Sequence, residues 1–430
     1  MSDARHVVTV RIASEFKRFP DIGMKPFDVS MLDPRDVSLA RAIDHSIHRR
    51  WISLIKLIDF VSSRKIQNLD PPVAATLLVA TAQMMLLDRI PDHAVINSAV
   101  DWIKNNGHPR AGGFVNAILR KITRIRGDKV ESADVTKTNQ FLKNDGSSWE
   151  LSENVFENDF AAQMGFTKKC LTRLINEFGE STAKEIAYGS LTEAPVIVAI
   201  PDNTTNISSI TPHHTNGFGV IEHGVEFDSL LDKFPDMRVQ DPTSAGSLSI
   251  LKDIHPKRIL DICAGRGTKT KQLRHLFPTA TIGATEPNDI RRAALEDVAS
   301  SIRATVYSRE GNSPSEPFDL VVVDVPCSNS GVFSRRPEAK YRYDSKHINS
   351  LIELQREIVM DAFRVLLNKG YLLYATCSID SAENISQANW ISENLPLTKI
   401  DEKFTLPSGY PGSDPTCWHD GGYTTLFQKR

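Results

Sequence analysis

Cysteine is scarce in this chain: five residues (Cys170, Cys263, Cys327, Cys377, Cys417) are scattered through 430. The sequence holds no CxxC pair and no His/Cys cluster, which speaks against a disulfide framework and against a structural zinc site. An excess of one charge sign is also missing. The formal net charge is −2, so affinity for nucleic acid has to come from local basic patches rather than from the field of the whole protein. Long apolar runs are absent too. The longest, Val73 to Leu87, includes Gln83 and falls short of the roughly 20 residues that a membrane span needs. The opening MSDARHVVTVRIASEF lacks the apolar core of a signal peptide. The expectation is a reducing cytoplasm, with no membrane and no metal.

What is present is a hydrophobic and charged balance ordinary for a folded protein, 40% and 24%. The length suggests two or three domains. Residues 1–33 carry little signal and are expected to be partly loose. From Asp36 to Lys65, Leu39, Ile43, Ile47, Trp51, Leu54, Ile55 and Ile58 recur at helical spacing. Pro71-Pro72 opens a second helix, His93 to Lys104 forms a third that Asn105-Asn106-Gly107 stops, and FVNAILRKITRIR forms a fourth. The first domain, residues 1–130, is therefore expected to be all-helical. Its last part is basic, with Lys104, Arg110, Arg120, Lys121, Arg124, Arg126 and Lys129 against Asp101 and Asp128. Arg120 to Arg126 is a candidate RNA contact, or simply a solvated helix face.

Residues 131–236 read as a polar linker or mobile loop over Val130 to Glu150, helical spacing from Phe156 to Leu191, and a small strand-bearing module around Pro195 to Ile200. From residue 237 to 430, strands and helices alternate: RILDI, a helix from about Thr268, ATIGAT, a helix from Asp289 to Arg303, TVY, FDLVVVD, a helix from Ile348 to Leu367, and GYLLYAT. Repeated βα units mean a parallel, doubly wound sheet, and ligands bind beyond the carboxyl ends of its strands. Two cysteines fall at such ends, Cys327 in FDLVVVDVPCSNSG and Cys377 in YLLYATCS.

LDICAGRGTKT (Leu260 to Thr270) lies between the first strand and its helix. Gly265 and Gly267 allow a tight turn and close approach of a ligand, and the helix start offers unpaired N–H groups. Glu286, about 20 residues on, ends the next strand where an acid can hold ribose hydroxyls. Neither GxxxxGK[ST] nor a full GxGxxG is present, which leans away from a Walker loop and from NAD. Turn glycines are also common without a ligand, and Cys263 alone reads most simply as a small buried hydrophobe.

Taken together these motifs resemble the RNA cytosine-5 methyltransferases that use S-adenosylmethionine. They are most similar to the bacterial 16S ribosomal RNA enzymes with an N-terminal domain like the antitermination factor NusB (the Sun/Fmu type). The similarity rests on VQDPTSAG (Val239 to Gly246), LDICAGRGTKT, DVPCSNSG, YATCSIDSAEN and the closing DGGYTTLFQK. Upstream, RIPDHAVINSAVDWIK and FVNAILRKI carry it. Arg266 and Thr268 stand where that family usually has proline and glycine, Glu286 and Glu310 where it has aspartates, and Gly422-Tyr423 in place of an aromatic pair.

The resemblance implies a Rossmann-like class I methyltransferase domain preceded by an all-α NusB-like domain, with S-adenosylmethionine as cofactor and ribosomal RNA as substrate. It implies Cys377 as the nucleophile on carbon 6 of cytosine, Cys327 as the helper that releases the product, and Asp324 as the group that holds the base. The cofactor residues it implies are Cys263, Ala264, Gly265, Arg266, Gly267, Thr268, Lys269, Glu286, Glu310 and Asp324. SRRPEAKYRY, with Arg335, Arg336, Lys340, Tyr341, Arg342 and Tyr343, mixes cations and stacking rings as a single-stranded RNA contact would; a solvated loop is the plainer reading. Transfer RNA as the substrate, or an RNA-binding homologue without chemistry, remain open at this point. A monomer is expected.

Overall fold

The computed structural model describes residues 3–23, 28–201, 207–222, 224–225, 227–307 and 316–430, with the backbone alone at 227 and 228. The chain divides into two compact units. One comprises Met1–Glu193, Phe333–Tyr343 and Tyr410–Ser413; the other comprises Ala194–Val332, Asp344–Gly409 and Asp414–Arg430.

The first unit opens with five helices: α1 (Ala4–Phe16), α2 (Pro34–Val61), α3 (Pro71–Leu86), α4 (Asp92–Asn105) and α5 (Gly112–Ile125). The run Val73 to Met85, too short to span a membrane, is buried nearly all round within α3, as a helix apolar on every face must be. Among the described residues no helix is long and apolar enough to cross a membrane. The start of the chain departs from its expected looseness. Ala4, Val8 and Ile12 are fully buried at i, i+4 and i+8, and Asp3 caps the helix by accepting from the His6 N–H, a contact worth about 1 kcal/mol.

The polar stretch after α5 also departs from expectation. Instead of a linker, Arg126–Val130, Gln140–Leu142 and Ser148–Leu151 form a three-stranded antiparallel sheet. Gly146, at φ 86°, follows Asp145 in the turn, a pair suited to hairpins. Phe141, Leu142 and Leu151 are the buried residues that anchor it.

Within this unit α2 breaks at Arg50 (φ −120°, ψ 17°). A kink frees backbone groups of the helical ladder, and buried ones need new partners. The Tyr341 hydroxyl donates to the His48 carbonyl at 2.6 Å and accepts from the Trp51 N–H at 3.2 Å. Lys340 Nζ donates to the Arg49 carbonyl at 2.8 Å. Lys340, Tyr341 and Tyr343 are accordingly buried. The expected RNA-facing loop over Arg335 to Tyr343 is thus corrected at these three residues: Lys340 and Tyr341 mend the broken helix, and the Tyr343 ring packs edge-on against Phe333, centroids 5.7 Å apart, instead of meeting solvent. Arg342 is half-buried, and only Arg336 of the six is exposed.

The second unit contains a four-stranded antiparallel sheet (Ile197–Ala199, Ile210–Pro212, Phe218–Ile221, Arg238–Val239) and a seven-stranded one. The large sheet has strands β1 (Arg258–Ile262), β2 (Thr281–Thr285), β3 (Thr305–Tyr307), β4 (Phe318–Asp324), β5 (Leu366–Thr376), β6 (Leu397–Thr405) and β7 (Gly422–Lys429). Their spatial order is β3-β2-β1-β4-β5-β7-β6. The first five run parallel, while β7 pairs antiparallel with both β5 and β6. Leu320 to Val323 of β4 are fully buried, because helices cover both faces of a parallel sheet and leave no polar side. The order reverses between β1 and β4, which opens a crevice at the strand ends. Register aligns Val323 with Ile262 and Asp324 with Ala375. The loops after β1, β4 and β5 therefore leave the sheet at one level.

Candidate functional site

After β1 the backbone turns through three positive φ values, at Cys263 (61°), Gly265 (62°) and Gly267 (87°). A Cβ on Gly267 would lie 2.9 Å from a Val298 methyl carbon, so glycine is required there by space as well as by φ. The helix Thr268–Leu276 that follows has no side-chain cap, which leaves its first N–H groups to a ligand. Glu286, almost fully buried, accepts from the Gly265 N–H and the Asn288 N–H, each at 2.9 Å, and pairs with Arg291 at 3.0 Å.

Uncapped amides for a carboxylate and a fixed carboxylate for hydroxyls fit a nucleoside that carries a free amino acid, such as S-adenosylmethionine. Burial and then the neighbouring Glu286 push the Cys263 thiol up to about 12, so this cysteine is no nucleophile. Arg266 and Thr268 are exposed on the loop. Glu310 lies outside the described residues.

Lys269 projects from the first turn of that helix towards β4. Its Nζ donates to Asp324 Oδ2 at 2.8 Å and lies 3.5 Å from Ser244 Oγ. Burial disfavours the ammonium, but the Asp324 carboxylate outweighs it and holds Lys269 above its ordinary value. Both side chains line a cavity of about 190 Å³ with Thr243, Cys377, Lys403 and Asp420.

Cys327 Sγ and Cys377 Sγ are 3.2 Å apart, and Cys377 Sγ is 3.2 Å from Asn329 Oδ1. The hydrogen bond with Cys377, then burial, raise the Cys327 thiol well above its usual range. Cys327 is thereby kept protonated at neutral pH, while Cys377 opens to the cavity.

A buried polar network holds the two cysteine loops together. Glu383 accepts from the Ser328 N–H (2.9 Å), Gln355 Nε2 (3.0 Å) and the Ser378 hydroxyl (2.6 Å). Asn384 bonds the Thr376 hydroxyl at 2.7 Å and the Ser378 carbonyl at 2.9 Å. Gly331 donates to the Cys377 carbonyl at 3.0 Å and accepts from the Gly421 N–H at 2.8 Å. On the opposite wall, Asp241 accepts from the Thr243 and Asp420 N–H groups at 2.8 and 3.1 Å.

Of the residues singled out from the sequence, the fold brings Lys269, Asp324 and Cys377 to one cavity, with Cys327 buried against Cys377, and Gly265, Gly267 and Glu286 in and under the loop that precedes Lys269. Sequence reasoning gave no role to Asn329, Gln355, Glu383, Asn384, Thr243 or Lys403. Glu383 and Asn384 stood in the YATCSIDSAEN motif, and Asn329 in DVPCSNSG, as letters without a task. Gln355 and Lys403 carried no signal.

Residues 248–404 match the family model described as 16S rRNA methyltransferase RsmB/F, and residues 13–124 match the NusB family. Among curated proteins, the chain is 26% identical to "Ribosomal RNA small subunit methyltransferase B" of Proteus mirabilis over 378 residues, 82% of this chain and 81% of that protein. In fold it is similar to the solved structure of PH0851, at TM-score 0.68 and 19% identity, covering 99% of this chain and 98% of that one. A methyltransferase homologue from Pyrococcus horikoshii matches at TM-score 0.50 and 16% identity, over 63% of this chain and 97% of that one. The NusB and RsmB/F models thus match in this order along the chain, the second over the strands that carry the glycine-bearing loop and the two cysteines.

Proposed function

We propose that the chain methylates carbon 5 of a cytosine in small-subunit ribosomal RNA, through a transient bond between Cys377 Sγ and carbon 6. The observation that supports this most is the thiol pair, 3.2 Å apart, of which Cys377 shares one cavity with the Lys269–Asp324 ion pair. Carbon 5 of cytosine is a weak nucleophile. Addition of a thiolate to carbon 6 turns carbon 5 into an enamine-like centre, which splits one hard step into easier ones. Bound S-adenosylmethionine supplies an electrophilic methyl group. The Asp324 carboxylate, fixed by Lys269, accepts from the amino group and, once ring nitrogen 3 takes up a proton as the thiolate adds, from that N–H as well, which favours addition. Asn329 orients the Cys377 thiol. Once carbon 5 has been methylated, its proton passes to solvent, the bond between carbon 6 and Sγ breaks with Cys377 leaving as thiolate, and Cys327 assists that departure.

The reading of the substrate rests on the names of the relatives and on the helical domain. Arg120, Lys121 and Arg124 are exposed on one face of α5, and we take them as phosphate contacts. Arg126 and Lys129, by contrast, pair with Asp92 and Asp88 at 2.7 and 3.2 Å. Their charge is met within the unit.

The test is methyl transfer from labelled cofactor to unmodified small-subunit RNA, with bisulfite sequencing of the product. Transfer to carbon 5 should vanish in Cys377→Ala, and Cys327→Ala should accumulate a protein–RNA adduct. Transfer that survives in Cys377→Ala would overturn the mechanism. Transfer to transfer RNA alone would overturn the substrate.

A further inference from the structure

Cys417 takes no part in the chemistry above, yet the fold gives it two neighbours, one of them far away in sequence. His213 and His214 follow the strand Ile210–Pro212 in the hairpin that leads to Phe218–Ile221. The His214 N–H donates to the Thr416 carbonyl at 3.0 Å, which stitches this hairpin to the segment 414–418. His213 is spent on structure: its Nδ1 accepts from the Thr215 N–H at 2.9 Å and its Nε2 meets the Trp418 carbonyl at 2.7 Å. His214 instead turns its ring to Cys417, with Nδ1 3.0 Å from Sγ. Asp414 uses Oδ1 for the Thr416 N–H and hydroxyl at 2.9 and 2.7 Å, which leaves Oδ2. One ligand atom from each of His214, Asp414 and Cys417 lies within 4.8 Å of the others.

We propose that His214, Asp414 and Cys417 form a site for a divalent transition metal of the zinc class. One thiolate, one imidazole and one carboxylate suit Zn²⁺ and its neighbours, whereas Mg²⁺ and Ca²⁺ take oxygen alone. Sulfur at about 2.3 Å and nitrogen at about 2.0 Å from a tetrahedral ion are about 3.5 Å apart. A small spreading of the His214–Cys417 pair therefore admits the ion, and Cys417 gives up its proton to solvent as it binds. With three protein ligands at an exposed position the fourth place falls to water. The hairpin and the bonded backbone hold the three ligands in place before the ion arrives. Asp420 and Gly421, which line the cavity, follow Cys417 within four residues, so the ion would fasten the approach to that wall.

The experiment uses the reduced, chelator-treated full chain, titrated with Co²⁺ for its thiolate charge-transfer band and with Zn²⁺ against a chromophoric chelator. The expected result is one equivalent bound, with the Co²⁺ band present. The band should disappear in Cys417→Ser, and affinity should fall at least tenfold in His214→Ala. Cys327→Ser with Cys377→Ser, which removes the other close thiol pair, should leave both unchanged. No Co²⁺–thiolate band in the wild type, or a band that persists in Cys417→Ser, would overturn the site. The readout is independent of methyl transfer.

Discussion

Asp261, near the end of β1, is fully buried beneath the glycine-bearing loop, and its Oδ2 accepts from the Thr270 hydroxyl at 2.6 Å. Its Oδ1 is buried without a partner. Burial, which outweighs the bond from Thr270, raises the carboxyl from 3.8 to about 7. A carboxyl raised in this way binds its proton more tightly in the folded chain than in the unfolded one. Its contribution to stability is therefore complete below about 4 and is lost as pH climbs towards about 7, at a slope near 1.4 kcal/mol per pH unit at most. Asp261→Asn keeps a partner for Thr270 and removes the titration. Urea unfolding between about pH 4.5 and 7.5 should show the wild type losing stability relative to the variant as pH rises. Parallel profiles would show that Asp261 stays ionised. The motif LDICAG named this aspartate's position in the sequence, but only its depth under the sheet makes it a weak acid.

At the scale of elements, the strand-end loops interlock through glycines. A Cβ on Gly331 would stand 2.4 Å from the Gly421 carbonyl and 2.9 Å from the Cys377 carbonyl, so the loops after β4 and β5 and the start of β7 cannot close over a larger residue. Gly331→Ala should push these loops apart. Overpacking of this kind costs about 1–3 kcal/mol, and the urea midpoint should fall accordingly. Methyl transfer should fall further than stability accounts for, because the thiols would no longer be fixed at 3.2 Å. Unchanged transfer in the folded variant would mean that the cysteine spacing is set elsewhere. Elements of this kind were legible wherever burial was two-sided. FDLVVVD and GYLLYAT are continuous apolar runs, and they are strands β4 and β5. The three-stranded sheet after α5 was not legible, because its strands are three to five residues long and too few side chains point inward to set a period of two. α1 was missed for another reason: apolar Val10 is exposed while polar Thr9 and Glu15 are buried, which blurs the helical period, and Asp3 as a cap gains meaning only once the helix exists.

At the scale of the whole chain, charge and burial sort the two expected RNA footprints differently. Tyr341 serves the break in α2, so Tyr341→Phe should leave the His48 carbonyl and the Trp51 N–H short of a partner. That costs about 1–3 kcal/mol and should leave the salt dependence of RNA binding unchanged. Replacement of Arg120, Lys121 and Arg124 by alanine should do the reverse. Stability should hold within about 0.5 kcal/mol each, while the slope of log affinity against log salt should shrink by about 0.7–0.9 for each phosphate that is no longer neutralised. Fluorescence anisotropy across a salt series, beside thermal unfolding, separates the two. Equal slopes for wild type and the α5 variant would remove that face from the RNA interface.

The sequence by itself determined the strands and helices of the alternating half, the glycine-bearing loop and the two cysteine motifs, because hydrophobic period and turn chemistry are local properties of the chain. It also determined that charge would act in patches. Only the tertiary structure decided which residues meet. Register between β4 and β5 aligns Asp324 with Ala375 and so brings the thiols together. The kink at Arg50 turns Lys340 and Tyr341 inward. His214 joins Cys417 across 203 positions, a cluster that spacing along the chain could not disclose. Such meetings depend on sheet order and on which buried polar groups still need a partner, and both are settled when the whole chain packs.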